Sequence, residues 1–269
     1  MINTSSKGSE SFMKKWGLII KAAAITGVLL VVRLVFDYLN LDVMSVTTLI
    51  TAFIGAAIFT IAIIFAGTLT DYKESEKIPS DIATSIRTFY SDIDLIRVPD
   101  QMHIFRMKEN TAALMRCINR NFRHNMWNMN EMDESIDTLN TDISRLVDMS
   151  VAPNYVIKLK TELTNIDRIS HRVKTIAETS FIPAAYAISE LAAAGVIVLL
   201  FFVKLDPFYE GLVLFFVISM LLVALLLLIK DMDNPFEVGK KTYADIDLFL
   251  LWDLEETLNE KTGHKKDVI

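Results

Sequence analysis

Residues 211–229 read GLVLFFVISMLLVALLLLI, a stretch without a single charged side chain. Because a helix needs about 20 predominantly apolar residues to cross the hydrocarbon core of a bilayer, this stretch predicts a transmembrane helix. Three other stretches have the same character, and the four predicted spans are Trp16–Phe36, Val46–Leu69, Tyr186–Val203 and Gly211–Ile229. The chain is therefore predicted to be an integral membrane protein.

The composition of the chain agrees with this prediction and argues against several other classes. Of the 269 residues, 52% are hydrophobic and only 22% are charged. The one cysteine, Cys117, excludes an intrachain disulfide and a metal cage built from cysteines. No two of the four histidines are four residues apart, which argues against a His-rich metal site. The net charge of −6 gives no reason to expect nucleic acid as a partner.

The connections between the spans predict the orientation of the chain in the membrane. Residues 37–45 contain no Lys or Arg, and residues 204–210 contain only Lys204. With four spans, both connections lie on one face and nearly all basic residues lie on the other. Positive charge marks the cytoplasmic side, which predicts that both termini and the middle of the chain are cytoplasmic. Lys21 and Arg33, inside the first span, are expected to extend their charges to the interface.

The long middle of the chain is predicted to be helical and to lie outside the membrane. Apolar residues recur there at helical spacing, and no run of alternating β-branched residues is present. The stripes are Ile82, Ile86, Phe89, Ile93 and Ile96, then Met132, Ile136, Leu139, Ile143 and Leu146, then Val156, Leu159, Leu163 and Ile166. A further helix is predicted over Thr242–Leu258, with one face made of Ile246, Phe249, Leu250 and Leu254.

The predicted fold class is thus all-α, a four-span membrane protein made of two transmembrane hairpins and a cytoplasmic helical bundle. Residues 1–69 hold a cytoplasmic N-terminal segment and the first hairpin, and residues 70–185 form the cytoplasmic helical region. Residues 186–229 form the second hairpin, and residues 230–269 form a cytoplasmic, acidic tail with a helix. Lipid is the surrounding partner that such a chain requires.

The second span carries two patterns. Small residues let membrane helices approach closely, which favours packing between subunits or around a narrow axis; here they are Ala52, Gly55, Ala56, Ala62 and Ala66. A second stripe consists of larger apolar residues: Ile54, Ile58, Ile61 and Phe65. Such a stripe serves either as an apolar constriction of a pore, which gates by dewetting, or as an ordinary lipid-facing or core surface.

Charged residues supply two further candidate sites. Glu190 lies inside the third span, where an ionisable group indicates function unless it reaches interfacial water. Arg116, Arg120 and Arg123 recur on one helix face, which in a multimeric channel would line a vestibule and concentrate anions. A solvated face or a contact with lipid phosphate is the simpler explanation of the three arginines. The Asn-rich stretch 121–130 indicates a junction between helices.

Carboxylates cluster after the fourth span, where Asp231 and Asp233 precede Asn-Pro-Phe and Asp247 follows. Carboxylates at a helix end bind calcium when backbone carbonyls join them, which makes these three residues candidate calcium ligands. The alternative is an ordinary helix stop at Asn-Pro. No catalytic motif is present, neither a nucleophile elbow, a Walker loop, HExxH nor GxGxxG, and the chain is not expected to be an enzyme.

The span arrangement and these local sequences together resemble the bestrophin family and the bestrophin-like bacterial membrane proteins. The acidic-Pro-Phe segment 233–236 after the last span resembles the family's hallmark, and it leads into segment 245–248 and a helix with Glu255 and Glu256. The entry to the third span, residues 168–186, and the end of the second span, residues 67–76, are similar to the family's segments there. The resemblance covers about half of the chain, and residues 97–156 match nothing in the family.

The resemblance implies a homopentamer whose second spans line a central pore, with Ile54, Ile58, Ile61 and Phe65 as its neck. The expected function is an ion channel for small monovalent ions, with anions such as chloride favoured by the family, in the cell membrane of a prokaryote (the inner membrane). The alternative is a non-conducting membrane scaffold or sensor whose cytoplasmic helices bind a protein partner. That alternative rests on the unmatched middle region.

Overall fold

The computed structural model describes residues 4–179, 182–236 and 243–263, with side chains from residue 16 onward, and it confirms the all-α prediction. No β-strand is present in these ranges. The helices are α1 (Thr4–Tyr38), α2 (Thr48–Ser75), α3 (Ile78–Ile93), α4 (Gln101–His124), α5 (Met129–Asp148), α6 (Pro153–Glu178), α7 (Pro183–Phe202), α8 (Phe208–Met232) and α9 (Phe249–Thr262).

Four stretches of helix are long and apolar enough to cross a membrane, as the sequence predicts. They are Trp16–Tyr38, Thr48–Ile93, Pro153–Phe202 and Phe208–Met232, and each contains the core of one predicted span. Two of these stretches extend well beyond the predicted span, because α2 continues past Leu69 to Ser75 and α6 precedes α7. The chain is thus a membrane protein with four candidate spans.

The chain forms two compact units. The membrane unit comprises residues 1–72, 180–235 and 241–244, and the helical unit comprises residues 73–179, 236–240 and 245–269. Each unit collects segments that are far apart in the sequence.

The membrane unit is organised around contacts of α1, α2, α7 and α8. Its buried core contains side chains from three of these helices: Ala57, Ile61, Ala193, Val196, Leu200, Phe215, Leu222 and Ile229. The two span connections lie side by side, since the N–H of Met44 donates to the carbonyl of Phe202 at 2.9 Å and the N–H of Lys204 donates to the carbonyl of Met44 at 2.7 Å. Both turns therefore lie at one end of the unit, as four spans require.

Arg33 extends its charge toward the end of the first span, but protein covers it there. Only 4% of its side chain is exposed. Its guanidinium donates to the carbonyls of Leu200 and Phe201, and it forms an ion pair with Asp37 at 2.7 Å. The carbonyls at the end of α7 lack partners within that helix and carry its negative dipole end, so they attract a cation. Lys21, in contrast, is exposed.

The helical unit buries the predicted stripes. All five stripe residues on α3 and in the turn after it are buried, as are all five on α5. On α6, Leu159, Leu163 and Ile166 are buried, while Val156 is half-buried. The Asn-rich stretch is a junction as predicted, since α4 ends at His124, Asn125 adopts a left-handed φ of 47°, and α5 begins at Met129.

The predicted tail helix is wrong over residues 243–248, which are not helical, and in its face; Thr242, its predicted first residue, lies outside the described residues. The helix α9 begins at Phe249, where the side chain of Asp247 accepts the backbone N–H of Phe249 at 3.0 Å. Ile246 is buried ahead of the helix, and Phe249 is exposed. The buried face of α9 is Leu251, Leu254, Leu258 and Thr262. Ile246 drops out of the face because it lies before the helix, and the packing of α9 against α3 and α4 buries the side that holds Leu254 but not Phe249.

Candidate functional site

The helix α2 begins with a threonine cap, and its threonine hydroxyls form hydrogen bonds within the helix. The Thr47 hydroxyl accepts the N–H of Ile50 at 3.3 Å at the start of the helix. Further along, the hydroxyls of Thr51, Thr60, Thr68 and Thr70 each donate to the carbonyl four residues earlier. These bonds leave the threonine hydroxyls without a need for water, and α2 can therefore pass through an apolar environment.

The structure separates the four residues of the predicted constriction. Ile61 is fully buried in the core of the membrane unit, and Ile54 and Phe65 pack against that core while remaining partly exposed. Ile58 is 42% exposed. Because a residue that lines a pore between copies must be uncovered in the single chain, Ile61 does not qualify and Ile58 does. The physical reason is that Ile58 and Ile61, three residues apart, differ by about 60° around the helix and lie on the two edges of the stripe.

The small residues of α2 lie on its uncovered face. Ala52, Gly55, Ala56, Ala62 and Ala66 are all exposed, and a Cβ added to Gly55 would meet nothing within 4 Å. At 3.6 residues per turn, these residues and Phe59 share one side of the helix, roughly opposite Ala57 and Ile61. The side that the chain does not cover thus combines small side chains with a few large apolar ones.

Glu190 lies on the surface of the membrane unit. It is exposed on α7, one residue after the buried Ser189, whose hydroxyl donates to the carbonyl of Tyr186 at 2.8 Å. Among the described residues, Glu190 forms no ion pair. An exposed carboxylate in a candidate span is available to another copy of the chain, to an ion or to interfacial water.

The three arginines of α4 are each engaged by a residue of the helical unit. Arg116 donates to the Asn259 side chain at 2.7 Å. Arg120 forms an ion pair with Glu131 at 2.9 Å. These contacts neutralise or orient the first two guanidinium groups, which reduces their attraction for a mobile anion.

Arg123 belongs to a network between α4 and α9. It forms an ion pair with Glu255 at 2.8 Å, and its guanidinium lies 4.8 Å from the centre of the Trp252 ring. The buried Asn119 donates to the same carboxylate at 2.7 Å and to the carbonyl of Leu251 at 3.0 Å. The three arginines therefore contribute to packing inside the unit, whichever way they face in an assembly.

Cys117 lies on α4 among these arginines. Its thiol is buried, and this burial raises the pKa of Cys117 above its ordinary value. The Glu131 carboxylate raises this pKa further, while Arg120 opposes the shift. A buried thiol whose pKa is raised is inert toward most electrophiles, and Cys117 is a core residue.

The candidate calcium ligands have protein donors around them. One carboxylate oxygen of Asp231 accepts the N–H groups of Tyr243 at 2.7 Å and Ala244 at 2.6 Å. Asp233 accepts the hydroxyl of Tyr186 at 2.7 Å. In the helical unit, Asp247 starts α9, as described above. These hydrogen bonds give each carboxylate a role in local structure, and calcium binding remains a prediction.

A side-chain group that the sequence analysis did not identify lies on α5 and α6. The donor atoms of Asp133, Asp167 and His171 all lie within 4.8 Å of one another. Two of these residues, Asp167 and His171, are four apart on one helix, which is a signal that the sequence carried. The third comes from the neighbouring helix, and only the packing of the hairpin reveals it.

Solved structures show what this fold is similar to. A bacterial bestrophin homolog from Klebsiella pneumoniae superposes with a TM-score of 0.75 at 12% identity, over 92% of this chain and 100% of that chain. A variant of the same homolog gives a TM-score of 0.73 at 12% identity, over 89% and 98%. A variant of a protein described as a membrane protein gives 0.75 at 13% identity, over 92% and 100%.

No family model matches the sequence, and no curated protein matches it. At this low identity, the likeness to the solved structures shows the fold. The predicted resemblance is confirmed at that level, because the chain has a bestrophin-like fold along nearly its whole length. Because 92% of the chain is covered, most of residues 97–156, which the sequence analysis left unmatched, fall within the superposed part.

Proposed function

We propose that the chain is one subunit of a bestrophin-like ion channel, a homopentamer that conducts small monovalent ions through a central pore. The proposal rests on the uncovered face of α2, whose exposed residues are apolar and largely small. In a single copy, this face has no protein partner, and small residues allow the same helix of several copies to approach one axis closely. The bestrophin-like fold supports the same arrangement.

Ile58 is the residue that we propose for the constriction. Ile54 and Phe65, which are partly exposed, would flank it on the same side of α2. A ring of isoleucine side chains excludes water from a narrow path and thereby limits ion flow. Among the four residues predicted from the sequence, Ile61 is excluded from this role by its burial.

The test is a planar-bilayer recording of the purified protein under a KCl gradient. We expect discrete currents whose reversal potential indicates anion selectivity, because the family resemblance favours chloride. A reversal potential of the opposite sign would contradict anion selectivity and direct attention to Glu190. Silence across voltages, with and without calcium, together with monomeric or dimeric particles would contradict the channel and favour the scaffold.

Two matched variants test the pore face. Ile58 and Ile63 are the same residue type on the same exposed helix, 42% and 57% exposed, but about 140° apart around its axis. Both positions flank the small-residue face, and we propose that the flank of Ile58, Ile54 and Phe65 faces the axis; we therefore expect Ile58→Ala to raise the single-channel conductance and Ile63→Ala to raise it much less. The opposite result would place the pore on the other flank of α2, and no change in either variant would remove α2 from the constriction.

The remaining parts of the proposal follow the family resemblance and the distribution of charge. The channel would lie in a prokaryotic inner membrane with both termini in the cytoplasm. Calcium, if it acts, would contact Asp231, Asp233 and Asp247. Particle symmetry measured in detergent tests the pentamer, since a closed five-fold ring is the expected arrangement.

A further inference from the structure

The helices α5 and α6 form an antiparallel hairpin. They are joined by residues 149–152, and Ser150 in this connection adopts a left-handed φ of 60°. A hairpin with this turn places residue 133 opposite residues near 168. That geometry brings Asp133 of α5 beside Asp167 and His171, which lie one turn apart on the same face of α6.

The distances among the three side chains match those of a metal centre. The Nε2 atom of His171 lies 3.4 Å from Oδ1 of Asp167 and 4.0 Å from Oδ1 of Asp133. In a tetrahedral complex with bonds of about 2.0–2.2 Å, neighbouring donor atoms are about 3.3–3.5 Å apart. The first pair already has this separation, the second exceeds it by about 0.5 Å, and all three donor atoms lie within 4.8 Å of one another. The exposed carboxylate of Asp133 must therefore move closer to complete the site.

The backbone at the three positions is firmly held. Met132, Ile166 and Ser170, the neighbours of the three residues along the chain, are all completely buried in the hairpin core. The ligand side chains, in contrast, point outward and are reachable from solvent. Rigid helices with accessible donor atoms favour metal binding, because the backbone loses little conformational freedom when the ion binds.

The donor set selects the kind of ion. A neutral imidazole nitrogen with two carboxylates suits zinc and similar transition metals, whereas calcium and magnesium prefer oxygen alone. The two carboxylates balance the charge of a divalent cation. The nearby Arg172 forms an ion pair with Glu74 at 3.5 Å, which draws its charge away from this group.

We propose that Asp133, Asp167 and His171 bind one divalent transition metal ion, with Zn²⁺ as the expected ion. Three protein ligands leave a fourth position for water, and the bound ion links α5 to α6. The proposal does not depend on ion conduction, because it concerns the surface of one hairpin in the helical unit.

The experiment measures metal binding by the full chain in detergent. The protein is stripped with a chelator and titrated with ZnCl2 by calorimetry, and with Co²⁺ by its visible absorption. We expect His171→Gln and Asp133→Asn to weaken the zinc site by about tenfold or more, since even second-layer partners of a metal contribute about 10- to 100-fold. The controls His124→Gln and Asp148→Asn remove an exposed imidazole on α4 and an exposed carboxylate at the far end of α5, and they should bind like the parent.

Several outcomes would overturn the proposal. If the parent and all four variants bind zinc equally, the ion binds elsewhere. If the parent binds neither zinc nor cobalt, the three residues hold no metal ion. Thermal unfolding without metal separates binding from misfolding, because these exposed side chains should not change the Tm of the stripped protein. Zinc should raise the Tm of the parent and not that of His171→Gln.

Discussion

The two units of the chain differ in how much of their apolar surface they bury. In the candidate spans, only 17–22% of the most apolar window is buried inside the chain. In the helical unit, α3 alone buries ten of its 16 residues, and its exposed face is polar. The membrane unit thus leaves apolar surface to lipid or to other copies, while the helical unit covers its own.

This difference indicates where each unit gains its stability. Burial of apolar surface away from water drives the folding of the helical unit. Lipid is as apolar as a protein core, and helices of the membrane unit gain less from contact with one another. Polar contacts therefore contribute a larger share of the stability of the membrane unit. The main example is the guanidinium of Arg33, which lies among carbonyls and carboxylates.

Replacement of Arg33 should lower the free energy of unfolding more than any other change proposed below. Arg33→Met leaves Asp37 without its partner and the final carbonyls of α7 without a donor, and we expect a loss of about 4 kcal/mol. The measurement is reversible unfolding in mixed micelles. Lys21→Met is the matched control in the same helix and should change stability by less than about 0.5 kcal/mol. Equal effects of the two variants would show that Arg33 has no special role.

Two buried leucines, one in each unit, test this difference in stability directly. Leu139 in the helical unit and Leu222 in the membrane unit are both nearly completely buried. We expect Leu139→Ala to cost about 3 kcal/mol, because it loses both the transfer from water and the packing. Leu222→Ala should cost about 1 kcal/mol, because only the packing contribution operates in lipid. Equal losses in the same unfolding assay would contradict the proposed difference.

The smallest expected effect is the contribution of the Cys117 thiol to the pH dependence of stability. A free cysteine has a pKa of about 8.5, and burial raises that of Cys117 in the folded chain. Below the unfolded pKa both states are protonated and the thiol adds no pH dependence. Above it the unfolded state loses the proton first, so stability falls by up to about 1.4 kcal/mol per pH unit.

Cys117→Ala should remove this part of the pH dependence, which stability measured from pH 7 to pH 10 would reveal. The native thiol should also react with a thiol reagent far more slowly than the unfolded chain. Fast labelling of the native protein would show that Cys117 is accessible and that its pKa is not raised by burial.

Much of the fold followed from periodicity and composition. The spans needed only length and hydrophobicity, and the helices of the middle region showed apolar stripes that are indeed buried. The prediction for the tail was wrong for an identifiable reason: residues 243–248 are not helical, and the side of α9 that is buried depends on its packing against α3 and α4. Helix existence is thus easier to predict than the register of its faces.

The candidate site was less predictable. The stripe on α2 contained Ile58 and Ile61 as equals, and only the positions of α7 and α8 make one exposed and the other buried. The arginines of α4 had the expected common face, but the α9 partners of Arg116 and Arg123 are remote in sequence. Asp133 joined Asp167 and His171 only through the hairpin.

The sequence by itself determined the class of this protein, because transfer of 20 apolar residues into lipid is a local property that each span carries alone. Amphipathic spacing likewise determined that the middle region is helical. Only the tertiary structure decided which side of each helix is covered, which charge is buried and which donors meet. Those outcomes depend on neighbours distant in the chain, and no local pattern specifies the angle at which one helix faces another.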